Sequence, residues 1–337
     1  MRHIFASLML SLAALPVWAG PYSGIYFFGD SLTDTGNVSE VYALAPKPPG
    51  APAQIPGAPY DPQGRASNGL IYADVLAAGL GLDATAYTRG GDNYAFGGAR
   101  TRYQVFGPPF LGIIDQVLTF TAQPGMAQGD ELFVLWAGSN NLQDLLLGRA
   151  ADVLGNPIPG VAQTLGDLNG MLTALYAEGA RHLLVPNVAN LVRTPRLNTL
   201  PPAQQAAAVG LIQAYNSQLE VLLAAFEGLH PDADIIRFDA FNAFEDLIAD
   251  AAALGFTNTT DRCYTGDDLT FTGGGSVCAN PDTYFFWDGI HPTAAAHRFL
   301  GEQMLAAVVP EPGSLWLVLT AALAAAGLKR RFAASRV

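Results

Sequence analysis

The chain is short of charge, of lysine and of cysteine, and each shortage excludes something. Charged residues make up 14% of its 337 positions, against 50% hydrophobic. Between residues 20 and 312 there are 12 Lys and Arg against 29 Asp and Glu, a balance of −17, and Lys47 is the only lysine there. Such a surface repels phosphate backbones, so nucleic acid is excluded as a partner. Only Cys263 and Cys278 are present. In an exported chain such a pair reads as a disulfide rather than a metal site, closing a loop worth ~3 kcal/mol at most. No Gly-x-Ser-x-Gly elbow, His-Glu-x-x-His or phosphate-loop lysine occurs, which counts against an ordinary α/β-hydrolase, a zinc protease and a nucleotide hydrolase. Gly79-Leu80-Gly81-Leu82-Asp83-Ala84 follows helix-like sequence, not a strand, so it is not a dinucleotide loop.

Long apolar runs with processing character occupy the two ends. Met1-Arg2-His3 precedes an apolar run over 4–15, then Pro16-Val17-Trp18-Ala19. This pattern predicts a signal peptide over 1–19. At the other end Val309-Pro310-Glu311-Pro312 precedes an apolar stretch over 315–328 and then Lys329-Arg330-Arg331. As a helix that stretch measures roughly 21 Å, a short transmembrane segment with its cations on the cytoplasmic side. The arrangement resembles the PEP-CTERM sorting signal of Gram-negative bacteria that export polysaccharide. The resemblance implies a tail over 309–337, processed by an exosortase-type enzyme, with transient inner-membrane anchoring and a final place at the cell surface or outside, near membrane or surface polysaccharide.

Between the ends, one domain is expected over 20–308, since neither an internal repeat nor a linker interrupts it. Continuous apolar runs over 24–29, 131–137, 181–185 and 233–238 read as buried strands. Helical sequence lies over 70–80, 161–178, 203–226, 241–253 and 293–308. Strands and helices that alternate in this way predict an α/β fold with a parallel sheet covered on both faces. Reactive groups then belong on loops after the strand C-terminal ends. Residues 45–64 contain seven prolines and three glycines, so they form a loop, a candidate for the substrate rim.

Four clusters carry chemistry. They are Gly29-Asp30-Ser31-Leu32, the segment 93–100 (NYAFGGAR), Gly138-Ser139-Asn140 and Asp288-Gly289-Ile290-His291. A hydroxyl attacks a carbonyl only when a base takes its proton and fixed donors hold the oxyanion. The clusters supply a serine, an Asp-x-x-His pair, a glycine-rich backbone and a side-chain amide. Taken alone, Ser31 reads first as a helix cap, and the bland alternative for Gly97, Gly98 and Asn140 is a turn residue; it is the ordered set of clusters that favours chemistry.

In order along the chain, Phe28 to Asn37 (FGDSLTDTGN), Gly64 to Gly69 (GRASNG), Asn93 to Ala99, Gly138 to Asn140 and Asp288 to Pro292 resemble the blocks of the GDSL, or SGNH, hydrolases, especially the longer lipase-like members. The resemblance spans roughly 24–307. It implies a three-layer α/β/α sandwich with a flavodoxin-like sheet and a carboxylic esterase or lipase that needs no metal and no cofactor. Carried over, Ser31 is the nucleophile, His291 the base, and Asp288 the group that orients it. The oxyanion donors are the Ser31 and Gly98 backbone N–H groups and the Asn140 side chain. The chain departs from the family where Asn141 stands for the usual aspartate and Ala66 for the phenylalanine of GRFSNG. Implied substrates are a glycerolipid, a short-chain ester or an O-acetyl group on exopolysaccharide; the alternative is a silent binding protein on the same fold.

Overall fold

The computed structural model describes residues 21–47, 51–104, 109–123, 125–152, 155–271 and 273–309. The leader expected over 1–19 lies outside them, as does the tail expected over 309–337 apart from Val309. Among the described residues no helix is long and apolar enough to cross a membrane.

Four strands form the main sheet: β1 (Ile25–Phe28), β2 (Leu132–Leu135), β3 (His182–Pro186) and β4 (Asp234–Phe238). All pair in parallel, in the order β1-β2-β3-β4. The free edge of β1 is taken by residues 92–94, where Phe27 N–H donates to the Asp92 carbonyl at 3.1 Å and Tyr94 N–H to the Phe27 carbonyl at 2.8 Å. That segment follows β1 in sequence and precedes β2, so the spatial order is the flavodoxin-like one.

Every residue of β1 and β2 is buried, which is why these strands read as unbroken apolar runs rather than alternating ones. Their side chains still alternate by face. Tyr26, Phe28, Phe133 and Leu135 join one core, with helices α3 (Ile113–Thr121), α5 (Val161–Ala177) and α6 (Pro202–Leu229) packed over it. Ile25, Phe27, Leu132 and Val134 join the other, covered by α2 (Tyr72–Gly79), α7 (Ala240–Ala249) and α9 (Ala294–Val308). Helices on both faces of a parallel sheet make the three-layer sandwich. The remaining helices are α1 (Asn37–Leu44), α4 (Ser139–Leu146) and α8 (Ala251–Leu254).

The expected helix over 241–253 is broken at Asp250, whose backbone closes α7 and opens α8. A second, two-stranded parallel sheet joins β5 (Asn258–Arg262) to β6 (Tyr284–Phe286). Between its strands runs the loop closed by the Cys263–Cys278 disulfide, with the two Cα atoms 4.8 Å apart. Tyr60, Cys263, Tyr264 and Trp287 form a small third core there, and Phe271 and Tyr284 pack on it.

Candidate active site

Ser31 follows β1 by way of Gly29-Asp30. The Gly29 peptide is clamped by the buried Gln116 amide, which accepts from Gly29 N–H and donates to its carbonyl, both at 2.9 Å. Beyond Ser31 the Asp30 carbonyl accepts from Thr33 and Asp34 N–H at 3.0 and 2.9 Å, a tight turn that lifts the serine out of the strand line. Asp34 then anchors the start of α1. Its carboxylate accepts there from the N–H groups of Gly36, Asn37 and Val38, and across the site from Gly97 N–H at 2.8 Å. Burial pushes the Asp34 carboxyl up, and those four donors oppose it.

Two more asparagines bind the first block to the second. Asn37 donates to the Asn93 and Ala95 carbonyls at 2.7 and 2.8 Å, and Asn93 donates to the Thr33 carbonyl at 2.7 Å. All three partners are buried backbone oxygens that would otherwise be costly to leave unpaired.

The last cluster sits on the turn after β6. Trp287 N–H donates to the His291 carbonyl at 2.7 Å and closes that turn. Inside it Asp288 Oδ1 accepts from Ile290 and His291 N–H at 2.8 and 2.7 Å. His291 Nδ1–H donates to Asp288 Oδ2 at 2.6 Å, and His291 Nε2 lies 2.8 Å from Ser31 Oγ. Residues 260 positions apart in sequence therefore stand in proton-transfer contact. Asp288 is fully buried and His291 nearly so. Burial alone raises the Asp288 carboxyl, but the His291 ring and the two N–H donors outweigh it and hold the pKa below the usual value.

The glycine-rich turn lies across from this pair. Gly97 N–H is bonded to Asp34, and the Gly97 carbonyl accepts from the Gln104 side chain. In a trans peptide the N–H points opposite the C=O, so the Gly98 N–H is turned the other way, and Gly98 lines the cavity beside Ser31. Gly98 has φ 81°, a conformation open to glycine at no steric cost. Arg100 braces the turn by donating from Nη1 to the Gly98 carbonyl at 2.7 Å, while its Nε and Nη2 grip Asp144 at 2.8 and 2.7 Å.

Asn140 is in the first turn of α4, whose N-terminus faces the site with its partial positive charge. Its Nδ2 donates to the Ala99 carbonyl at 3.0 Å and to Asp30 Oδ2 at 3.2 Å. Burial pushes the Asp30 carboxyl up to about 6, against the pull of the Leu32 N–H and of His291 and Arg100. Gly138, just before this helix, has φ 111°, and a Cβ there would run into the Tyr215 hydroxyl. Asn141 does scaffold work. It accepts from Thr101 N–H at 3.1 Å and donates to Thr101 Oγ1 at 3.2 Å, tying α4 to the segment after Gly98.

Ser31, Asn140 and His291 are shared by two adjoining clefts. One, of about 80 Å³, is walled by Val38, Pro56, Ala66, Leu269 and Phe271, with Arg100, Arg149 and Arg196 among its polar residues. The other, of about 40 Å³, is walled by Leu32, Leu191, Thr194 and Ile290. The proline-rich loop thus forms part of the rim through Pro56 and Gly64.

Residues 25–304 match the family model of the GDSL-like Lipase/Acylhydrolases. The chain belongs to that family. Acetylajmalan esterase 2 of Rauvolfia serpentina is 28% identical, over 91% of this chain and 96% of its own length. GDSL esterase/lipase At1g29660 of Arabidopsis thaliana is 29% identical, over 85% and 88%. Among solved structures, the acetyl xylan esterase AlAXEase has a TM-score of 0.42 at 15% identity, covering 85% of this chain and all of that one. Axe2, an acetylxylan esterase from Geobacillus stearothermophilus, has a TM-score of 0.45 at 13% identity, covering 87% and 97%.

As a GDSL-type acylhydrolase the chain is a carboxylic ester hydrolase. The GDSL blocks also hold residues to which the sequence alone gave no role. Asp34, Asn37, Asn93 and Arg100 build the frame around Ser31 and the glycine-rich turn. Tyr60 had no signal at all. It sits in the proline-rich loop, yet its hydroxyl donates to Asp288 Oδ2 at 2.8 Å.

Proposed function

We propose that this protein is an exported serine esterase for short acyl groups, with Ser31 as nucleophile, His291 as base and Asp288 as its orienting partner. The 2.8 Å contact between Ser31 Oγ and His291 Nε2 carries the reading. His291 with its proton on Nδ1 keeps Nε2 free to accept from the serine hydroxyl. As Oγ attacks the ester carbonyl carbon, the serine hydroxyl proton passes to Nε2, and Asp288 stabilises the imidazolium. The carbonyl π pair moves onto oxygen, where the Ser31 and Gly98 N–H groups and the Asn140 amide receive it. Asn140 must release one N–H from Asp30 or Ala99 to do so. The oxyanion pair then re-forms the carbonyl as the C–O bond to the alcohol oxygen breaks, and the imidazolium gives its Nε2 proton to that departing oxygen. The acyl-Ser31 ester is hydrolysed by water, which takes the alcohol's place in the same two steps.

The clefts support a short acyl chain, since about 80 and 40 Å³ are small beside pockets that enclose drug-sized ligands, which run from roughly 300 Å³ upward. Export is supported by the leader-like start and by the disulfide, which belongs to an oxidising compartment. The sorting tail and its processing remain part of the same proposal.

A panel of p-nitrophenyl esters of increasing chain length, run beside a fluorophosphonate probe, tests this. Hydrolysis should peak at acetyl to butyryl, and the probe should label wild type but not Ser31→Ala. Folded wild type that neither labels nor hydrolyses any ester would leave a binding protein, and a maximum at long acyl chains would overturn the short-chain reading.

A further inference from the structure

We propose that Tyr60, carried by the proline-rich loop, is a positioning residue for the Asp288–His291 pair. This inference rests on the roles given above to Ser31, His291 and Asp288. Tyr60 stands 228 positions from Asp288, yet its Oη donates to Asp288 Oδ2 at 2.8 Å. The same oxygen accepts the His291 Nδ1–H, while Oδ1 takes the N–H groups of Ile290 and His291. An ionised carboxylate offers about four lone-pair sites. These four donors fill them, and among the described residues Tyr60 alone reaches in from outside the 288–291 turn.

The phenol is held where it can do this. Its ring meets Tyr264, Phe271 and Trp287 edge-on, at centroid distances of 5.4, 5.3 and 6.0 Å. Tyr264 and Phe271 belong to the loop closed by the disulfide, and Trp287 immediately precedes Asp288. Tyr60 is 6% exposed, and burial together with the Asp288 charge pushes its hydroxyl far up. Both effects favour the neutral phenol, the form that donates.

The bond shapes the chemistry in two ways. It fixes the plane of the carboxylate so that Oδ2 faces Nδ1. It also disperses the carboxylate charge, so the imidazolium is held less tightly than by Asp288 alone. Removing the hydroxyl strengthens the remaining hold on the imidazolium, and the acid limb of the pH–rate profile moves to higher pH. Other charged and titratable groups around the pair are Asp30 and His297 beside His291, Asp268 and Tyr264 beside Tyr60, and Asp34, Arg100, Arg149 and Arg196 along the cavity. A Tyr60 substitution leaves all of them in place.

The test compares wild type, Tyr60→Phe and Tyr60→Leu by kcat and KM for p-nitrophenyl acetate across pH, and follows the low-field Nδ1 proton of His291 by NMR. Tyr60→Phe keeps the ring and its edge contacts. It should melt with wild type, lose about threefold to tenfold in kcat with KM unchanged, and raise the acid limb by about half a unit or more. Tyr60→Leu should show the same limb shift with a lower Tm. A Tyr60→Phe profile and Nδ1 resonance that both match wild type overturn the proposal. Ser31→Ala separates the two readings: if it hydrolyses the ester as fast as wild type, the roles assigned to the triad fail, while the NMR comparison still reports on Tyr60.

Discussion

At the scale of single residues, Asp30 shows how a motif position can act against stability. It is buried between Ser31 and the Asn140 amide, and burial raises its pKa in the folded chain to about 6, above the unfolded value near 3.8. A carboxyl raised on folding contributes stability that is complete below the unfolded value and is lost as pH climbs through the folded one. The two-unit difference amounts to about 2–3 kcal/mol between pH 4 and pH 7. Asp30→Asn cannot ionise, so relative to wild type it should gain about that much over the same interval, whatever its offset at pH 4. Urea unfolding at pH 4 and pH 7 measures this, and a difference between the two proteins that does not change with pH refutes it. If the ionised form also holds Asn140 in place, the same substitution should lower kcat above pH 6 as the amide loses its guide.

Among the elements, the disulfide hairpin between β5 and β6 is the one whose role was least visible in the sequence. Its two cysteines announced a bridge, but nothing in a glycine-rich, polar stretch indicated that it walls the cavity. Asp268 accepts from Gly289 N–H at 2.7 Å, inside the Asp288-His291 turn, while Leu269 and Phe271 face the cleft. Replacing both cysteines, Cys263→Ser with Cys278→Ser, frees a loop of 14 residues, which removes about 3 kcal/mol. The Tm should fall by several degrees, and KM for short esters should rise more than kcat falls, because the wall loosens while Ser31 and His291 keep their own anchors. Equal losses in kcat with KM unchanged would place the hairpin's effect in the chemistry instead. Strands β1 and β2 were legible because burial on both faces makes them continuously apolar, and β3 and β4 through their apolar centres, Leu183-Leu184-Val185 and Ile235-Ile236. Strand β5 was not, since Asn-Thr-Thr-Asp-Arg is largely solvent-facing and has no apolar alternation to read. The break at Asp250 escaped for a related reason: the apolar periodicity runs on through it, and only the backbone conformation at that residue departs from the helix. Serine, histidine and aspartate could be named from their blocks, whereas Tyr60 could not, because a tyrosine among prolines carries no periodic or motif signal and its partner lies across the whole domain.

For the molecule as a whole, tolerance of acid should depend on one histidine that takes no part in the proposed reaction. His297, in α9, is buried against α2, where its Nδ1 accepts the Tyr72 N–H at 3.3 Å. Its Nε2 is buried without a hydrogen-bond partner among the described residues. Burial, with His291 adding to it, lowers its pKa from 6.5 to about 3. A histidine depressed on folding is neutral inside and charged outside, so its contribution is complete above pH 6.5 and is lost as pH falls toward 3. The sign is opposite to that of Asp30, and the two windows overlap between pH 4 and pH 6, which flattens the stability of the wild type there. His297→Gln keeps an acceptor for Tyr72 and does not titrate. It should be less stable than wild type at pH 7.5, because it disturbs the α2–α9 packing, yet should lose less between pH 6.5 and pH 4, by on the order of 3 kcal/mol. Guanidinium unfolding at those two pH values decides the matter. Parallel losses in the two proteins would show that protonation elsewhere, among the paired carboxylates, drives acid unfolding. A smaller loss in the variant would show that the whole sandwich opens when its second helical layer must accept a charge at α9.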